Sequence, residues 1–306
     1  NVQNGLSDNY IRSLQQDYRG HIWIGTSEGL NRFDGTVFRP FLRNEKDSAS
    51  IFSNISEGVL NLNNRQLLIL THPVLSLFHF HSQQFSTVSL PTLQKTLSAT
   101  SDHDGKLWLG YSDKLVQTDS SMNVLRSFPL TNSGKSTPVN MHRLTNGQLV
   151  VVLSDGIYFL DEHSGNLGPV SGFAALHQKT SPYLSYSFYH PGTNTLYAGG
   201  WTSGFFMINF TSGAVQNLQS ADPESPLYAI PVTSVIKDSR NLLWIGTFNG
   251  LYLYDEQLGK ITHIKKTATG QGITDNQVRC LLEDREKNIW IGTANGLNRL
   301  SNAAQI

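Results

Sequence analysis

The sequence predicts an all-β chain folded as a seven-bladed β-propeller with four antiparallel strands per blade. Three observations carry that prediction. The stretch Gly5 to Phe33, GLSDNYIRSLQQDYRGHIWIGTSEGLNRF, returns 267 positions later as GITDNQVRCLLEDREKNIWIGTANGLNRL, Gly272 to Leu300, with 15 of 29 positions identical. The Trp-Ile-Gly-Thr core of that motif recurs at Trp23, Trp108, Trp244 and Trp290, with weaker copies anchored at Leu68, Val150 and Tyr197, at spacings of 45, 40, 42, 47, 47 and 46 residues. Within each unit the apolar residues alternate over short runs broken by turn residues, and no helical period competes. Units of this size, each too small to bury its own face, must stack on one another, so residues 1–306 read as one propeller domain.

The first unit shows the grammar. Tyr10 to Asp17 reads as a first strand and Tyr18-Arg19-Gly20 as a tight turn. His21 to Thr26 follows as a second strand with Ile22 and Ile24 on one face. Ser27-Glu28-Gly29 turns again, Leu30 to Phe33 forms a third strand, and Asp34-Gly35 makes a favoured hairpin turn into a fourth strand, Val37 to Phe41. Asp17, Asp102, Asp238 and Asp284 each lie six residues before a Trp, where a carboxylate can cap the first turn. Gly25, Gly110, Gly246 and Gly292 follow the same Trp by two, and their missing side chains are expected to admit an aromatic from the neighbouring blade. After Leu300 too little chain remains for a full fourth strand, so blade 7 is expected to close weakly.

The connections between blades are long and rich in Pro or Ser: Arg43 to Ser53, Thr131 to Pro138, Gly168 to Pro182 and Gln219 to Pro231. In a propeller they open on the same face as the turns between second and third strands, whereas the other face carries only tight turns. Binding is therefore expected on the long-loop face.

Composition removes several function classes. Lys and Arg total 23 and Asp and Glu total 23, so no net charge favours nucleic acid or an anionic membrane as partner. No run of 18 apolar residues is present, and no direct membrane contact is expected of this segment. The single cysteine, Cys280, alternates with Val278 and Leu282 and reads as a buried, inert thiol. His72, His79 and His81 do not follow a ligand spacing, so no metal is expected, and no cofactor.

Candidate site residues come from two registers. The turns between second and third strands place Ser27/Glu28, His72/Pro73, Ser112/Asp113, Ser154/Asp155, Trp201/Thr202, Phe248/Asn249 and Ala294/Asn295 at the mouth of the propeller. Short polar groups with two aromatics suit a sugar, which needs hydrogen-bond partners for its hydroxyls and a flat apolar surface for its C–H face. Trp201 lies four residues past its anchor in a turn one residue longer than the others, so it is out of register with the packing tryptophans. The expected ligand residues from these turns are Trp201, Phe248, Glu28, Asp113, Asp155, Asn249 and Asn295. Eleven residues before each anchor, on the first strand, stand Arg12, Glu57, Leu97, Val139, Tyr186, Thr233 and Arg279. Arg279, Arg12 and Glu57 fall on blades 7, 1 and 2, and read either as an inter-blade salt bridge or, for Arg12 and Arg279, as a carboxylate or sulfate site.

With GLSDN and D-x-x-G-x-I-W-I-G-T-x-x-G-L-N-R-F established, the sequence resembles the two-component regulator propeller repeats of bacterial hybrid two-component sensors. Blades 1, 6 and 7 follow that pattern closely, blade 3 recognisably, and blades 2, 4 and 5 loosely. The resemblance implies a periplasmic sensory region that feeds a histidine kinase, oligosaccharides as ligands, and neighbouring propeller or sensor domains as partners. It also leaves room for a homodimer of the full-length sensor. The chain then reads as one segment of a larger, non-catalytic sensor. It carries no fixed ligand motif onto numbered residues. A propeller-fold polysaccharide lyase or glycoside hydrolase using Asp113 and Asp155, and a protein interaction scaffold, are the alternative functions.

Overall fold

A computed structural model describes residues 1–88, 95–102, 105–130, 136–173, 183–200, 204–218, 231–270 and 272–301. The described strands form seven antiparallel sheets, each built from strands consecutive in the chain, and they are the blades of a seven-bladed β-propeller. Six sheets have four strands, and the seventh has three among the described residues: Val278–Glu283, Ile289–Thr293 and Gly296–Leu300. The helical elements include the 3-10 turns Val2–Asn4 and Pro191–Thr193. The chain divides into two compact units, residues 1–95 with 236–306, and residues 96–235.

In the first unit, blade 1 comprises Ile11–Gln16, Ile22–Thr26, Gly29–Phe33 and Phe38–Phe41. Period-two alternation on its second strand sends side chains to opposite faces. Trp23 packs with Leu67, Ile69 and Phe78 of blade 2, while Ile22 and Ile24 pack with Trp290 of blade 7. All seven anchors are buried, including Trp23, Trp108, Trp244 and Trp290.

The repeated aspartate does more than cap a turn. Asp17 Oδ1 accepts from the backbone N–H groups of Arg19 and His21 at 2.8 and 3.0 Å, and Oδ2 accepts from the Trp23 indole N–H at 2.8 Å. The same indole bond is made by Trp244 to Asp238 at 2.9 Å and by Trp290 to Asp284 at 2.7 Å. One side chain thus fixes both the turn and the polar edge of the largest core residue, which leaves the rest of the indole free to pack.

The glycine two residues past the Trp does not admit an aromatic, contrary to expectation. A Cβ at Gly25 would lie 2.5 Å from the Ser56 carbonyl, at Gly110 2.6 Å from Pro138, and at Gly292 2.6 Å from Ile11. Nearer still are side chains on the first strand of the same blade, Ser13, Ser98 and Cys280, so the glycine makes room both for its own blade's first strand and for the start of the next blade's. Three residues past the Trp, the hydroxyl of Thr26 donates to the Gly29 carbonyl at 2.7 Å, and Thr247 and Thr293 do the same with Gly250 and Gly296. Gly29 and Gly296 both have φ near +124°, a conformation that costs a side chain dearly.

The GLSDN segment clasps blade 7 to blade 1. Asn9 accepts the Gly296 backbone N–H at 2.8 Å, as Asn54 does for Gly29 and Asn276 for Gly250 at 2.7 Å each. The Arg285 backbone N–H reaches Gln16 Oε1 at 2.8 Å, and its guanidinium reaches the Tyr18 carbonyl at 2.9 Å. These bonds, with Trp290 packed on Ile11 and Ile24, join blade 7 to blade 1, and the seventh sheet has three strands among the described residues. Cys280, expected to be buried, is partly buried and packs against the same apolar cluster, and desolvation pushes its thiol up to about 12.

The second unit holds blades 3 to 5 and the beginning of blade 6's first strand, Val232–Lys237. Its apolar clusters include one about Trp108, Met141 and Val151 and one about Val150, Leu196 and Phe206.

Candidate functional site

The first strands of blades 1 and 7 each carry a β-bulge at their beginning. Pairing with the second strand slips between Ile11 and Ser13 and again between Val278 and Cys280, so the extra residues are Arg12 and Arg279. A bulge leaves its extra residue outside the ladder and re-aims its side chain. Both arginines are half-buried and both turn onto Tyr10, with guanidinium carbons 5.3 and 5.2 Å from its ring centroid. Arg279 also sits 5.6 Å from the ring of Phe248, from the second-to-third turn of blade 6. Arg12 Nε donates to Ser27 Oγ at 3.0 Å.

Neither arginine has a carboxylate partner among the described residues. The inter-blade salt bridge expected of Arg279, Arg12 and Glu57 is not formed. Glu57 instead accepts from His72 Nε2 at 3.1 Å and Lys95 Nζ at 3.0 Å. Burial pushes the Glu57 carboxyl up, but those two hydrogen bonds outweigh it and hold the group below its ordinary value. A carboxylate satisfied locally has little to gain from a more distant guanidinium.

The remaining expected residues divide. Phe248 joins the arginine cluster. Glu28 is exposed, with its backbone N–H on Thr26 Oγ1 at 3.2 Å. Asn249 and Asn295 are exposed in the equivalent turns; the Asn249 carbonyl accepts from His263 Nε2 at 2.7 Å, and Asn295 Oδ1 accepts from Asn9 Nδ2 at 3.2 Å. In the second unit, Asp113 and Asp155 are half-buried, and Asp155 accepts hydrogen bonds from the Ser136 and Tyr158 hydroxyls. Trp201 lies outside the described residues. On the described part of blade 5 the bulge falls at Ser185, between Leu184 and Tyr186, because the Pro191–Thr193 turn lengthens that hairpin by one residue. Tyr186 is therefore one place out of register with Arg12, and its hydroxyl donates to the Val235 carbonyl at 2.9 Å.

Tyr10, the centre of the cluster, escaped the sequence reading. It stands two residues before the bulge, where blade 7 has Gln277, blade 2 has Ile55 and the shifted register of blade 5 has Tyr183. Fixed spacing from the anchors hides that correspondence, and no motif of the repeat marks the position.

Residues 5–28 and 272–295 match the two component regulator propeller family model. The chain thus carries repeats of that kind, and the matched segments supply Tyr10, Arg12, Ser27 and Arg279. Over 47 residues it is 45% identical to histidine kinase P4 of Formosa agariphila, a match covering 15% of this chain and 3% of the kinase. Its fold is similar to the extracellular domain of the putative hybrid two component system BT3049 from B. thetaiotaomicron, with TM-score 0.82 at 23% identity, over 99% of this chain and 41% of that one. The corresponding domain of BT4673 from the same organism gives 0.79 at 20% identity, over 96% of this chain and 38% of that one. A streptogramin B lyase shares the fold more distantly, with TM-score 0.73 at 11% identity over 96% of this chain and 94% of the lyase. The chain thus spans about two fifths of the solved sensor domains.

Proposed function

We propose that this chain is a non-catalytic, extracytoplasmic sensor module of a two-component system, which binds an oligosaccharide and passes the event to a kinase through neighbouring domains. One observation carries the reading: the two segments that match the regulator propeller model are the ones that bring Tyr10, Arg12 and Arg279 together. A framework repeat needs none of these contacts, since the Trp, Asp, Gly and Thr of the motif already hold the blades. The likeness to extracellular domains of hybrid two component systems supports a periplasmic setting. The cluster lies beside the second-to-third turns, on the side where the Arg43–Ser53 connection also packs, since Asn54 of that region accepts from Gly29. Glu28, Asn249 and Asn295 are proposed as polar contacts beside the cluster; Trp201, Asp113 and Asp155 are proposed separately, from the sequence, as ligand residues of the second unit.

Hydrogen exchange with and without a panel of oligosaccharides tests the reading. Protection is expected in residues 9–13, 247–250 and 277–280. Protection confined to 18–20 and 238–241 would place the site on the opposite side of the sheets. The same incubations should release no new reducing ends and no unsaturated products. Turnover abolished by Asp113→Asn or Asp155→Asn would favour an enzyme of the lyase kind.

A further inference from the structure

We infer that the ligand recognised at the Arg12–Tyr10–Arg279–Phe248 cluster is an anionic saccharide, its carboxylate or sulfate held by the two guanidinium groups and its ring face by the aromatics. The inference rests on the oligosaccharide reading above and adds the charge of the ligand.

The argument begins with unspent hydrogen-bonding capacity. A guanidinium carries five N–H donors in a fixed fork. Among the described residues Arg12 uses only Nε, on Ser27, and Arg279 makes no hydrogen bond. Some half-buried cations are matched, Arg143 by Asp102 and Glu162 and Lys237 by Glu256, and others such as Arg32 and Lys114 lie on aromatic rings without an ion pair among the described residues. Arg12 and Arg279 differ from these in that two half-buried guanidinium groups share one ring. Two like charges turned toward one tyrosine repel each other in a partly desolvated place, where that repulsion is screened less than in bulk water. Cation–π contact with Tyr10 and Phe248 offsets part of this cost. It leaves the outward edges of both forks free, and those edges have the geometry that binds carboxylate or sulfate in a bidentate manner.

The surroundings favour an anion on a sugar over a free ion. Ser27, Asn249 and Asn295 border the cluster with the short polar groups that hydroxyls require, and Phe248 provides a flat surface. The one carboxylate on the corresponding strand of blade 2, Glu57, is drawn away by His72 and Lys95 and does not compete for the arginines.

Titration calorimetry of the 306-residue chain against trigalacturonate and its methyl ester tests the charge directly, because the two differ only in the ionised group. The acid should bind at least about tenfold more tightly than the ester, weaken as salt is raised, and lose about tenfold or more in affinity with Arg12→Gln or Arg279→Gln. Circular dichroism should show both variants folded. A sulfated galactan oligosaccharide and its desulfated form make the second arm, and whichever pair shows the larger ratio identifies the anion. Equal binding of charged and neutral forms in both arms would overturn this inference and leave the saccharide reading standing. No binding of either form in either arm would overturn this inference and leave the saccharide reading to the oligosaccharide panel, whereas charge-selective binding untouched by the two arginine variants would place the anion site elsewhere and refute this one.

Discussion

Of the several places where arginine meets an aromatic ring, two contrast, one in each unit. In the second unit Arg143 lies 5.8 Å from the Trp108 ring and is gripped by Asp102 at 3.2 Å and by Glu162. Burial lowers its proton affinity, but the two carboxylates outweigh that and leave it raised. In the first unit Arg12 and Arg279 lie at similar distances from Tyr10, with no carboxylate within ion-pair distance among the described residues. The ring contact is common to both; what differs is the counter-charge, and that two guanidinium groups meet at Tyr10 against one at Trp108 among the described residues.

The sharpest break between the regions is in the rings themselves. Trp108→Ala should cost about 3 to 5 kcal/mol, as a fully buried indole is lost from a packed core. Tyr10→Ala should cost far less, since Tyr10 is only half-buried. Denaturant midpoints of the two variants measure this, and equal losses would make Tyr10 a core residue.

Next in size is the cation. Arg143 is 15% exposed and Asp102 3%, so Arg143→Ala should cost about 3 kcal/mol by leaving two carboxylates without their cation. A loss under about 1 kcal/mol by urea unfolding would put Arg143 in the same class as Arg12.

The strand that carries Arg143, Pro138–Arg143, also carries His142, whose imidazole burial pushes down to about 4 from an ordinary 6.5. Because the folded value lies below the unfolded one, the neutral ring favours the fold above pH 6.5. That contribution drains away as pH falls toward 4, by on the order of 3 kcal/mol. His142→Gln should flatten stability across this window, with the imidazole's hydrogen bond to Ser187 Oγ at 2.8 Å as the contact to preserve. An unchanged pH profile would assign the acid sensitivity to other groups.

Smallest of all should be the effect of Arg12→Gln and Arg279→Gln on stability, within about 1 kcal/mol and of either sign, because lost cation–π attraction is offset by relieved repulsion. Thermal midpoints of the single and double variants test it. A double variant much less stable than the wild type would make the pair structural.

Residues that act within their own blade were legible in advance. The Asp-to-Trp spacing, the Thr-x-x-Gly turn and the alternation about each anchor act over a few positions, so their identities announce their geometry wherever they recur. Sequence spacing failed where one blade departs from the count: the longer hairpin at Pro191–Thr193 moved the bulge to Ser185. It failed again where partners compete, as when Lys95 and His72 claimed Glu57.

The sequence by itself determined the number of blades, their strands and the buried residues, because a repeat writes the same short-range pattern seven times. Only the tertiary structure decided that Tyr10, Arg12, Phe248 and Arg279 share one place and that, among the described residues, no carboxylate pairs with the two arginines there. Those four belong to three blades and to segments more than 200 positions apart in the chain, and no local pattern encodes which side chains meet across such a distance or which of them reaches a counter-charge first.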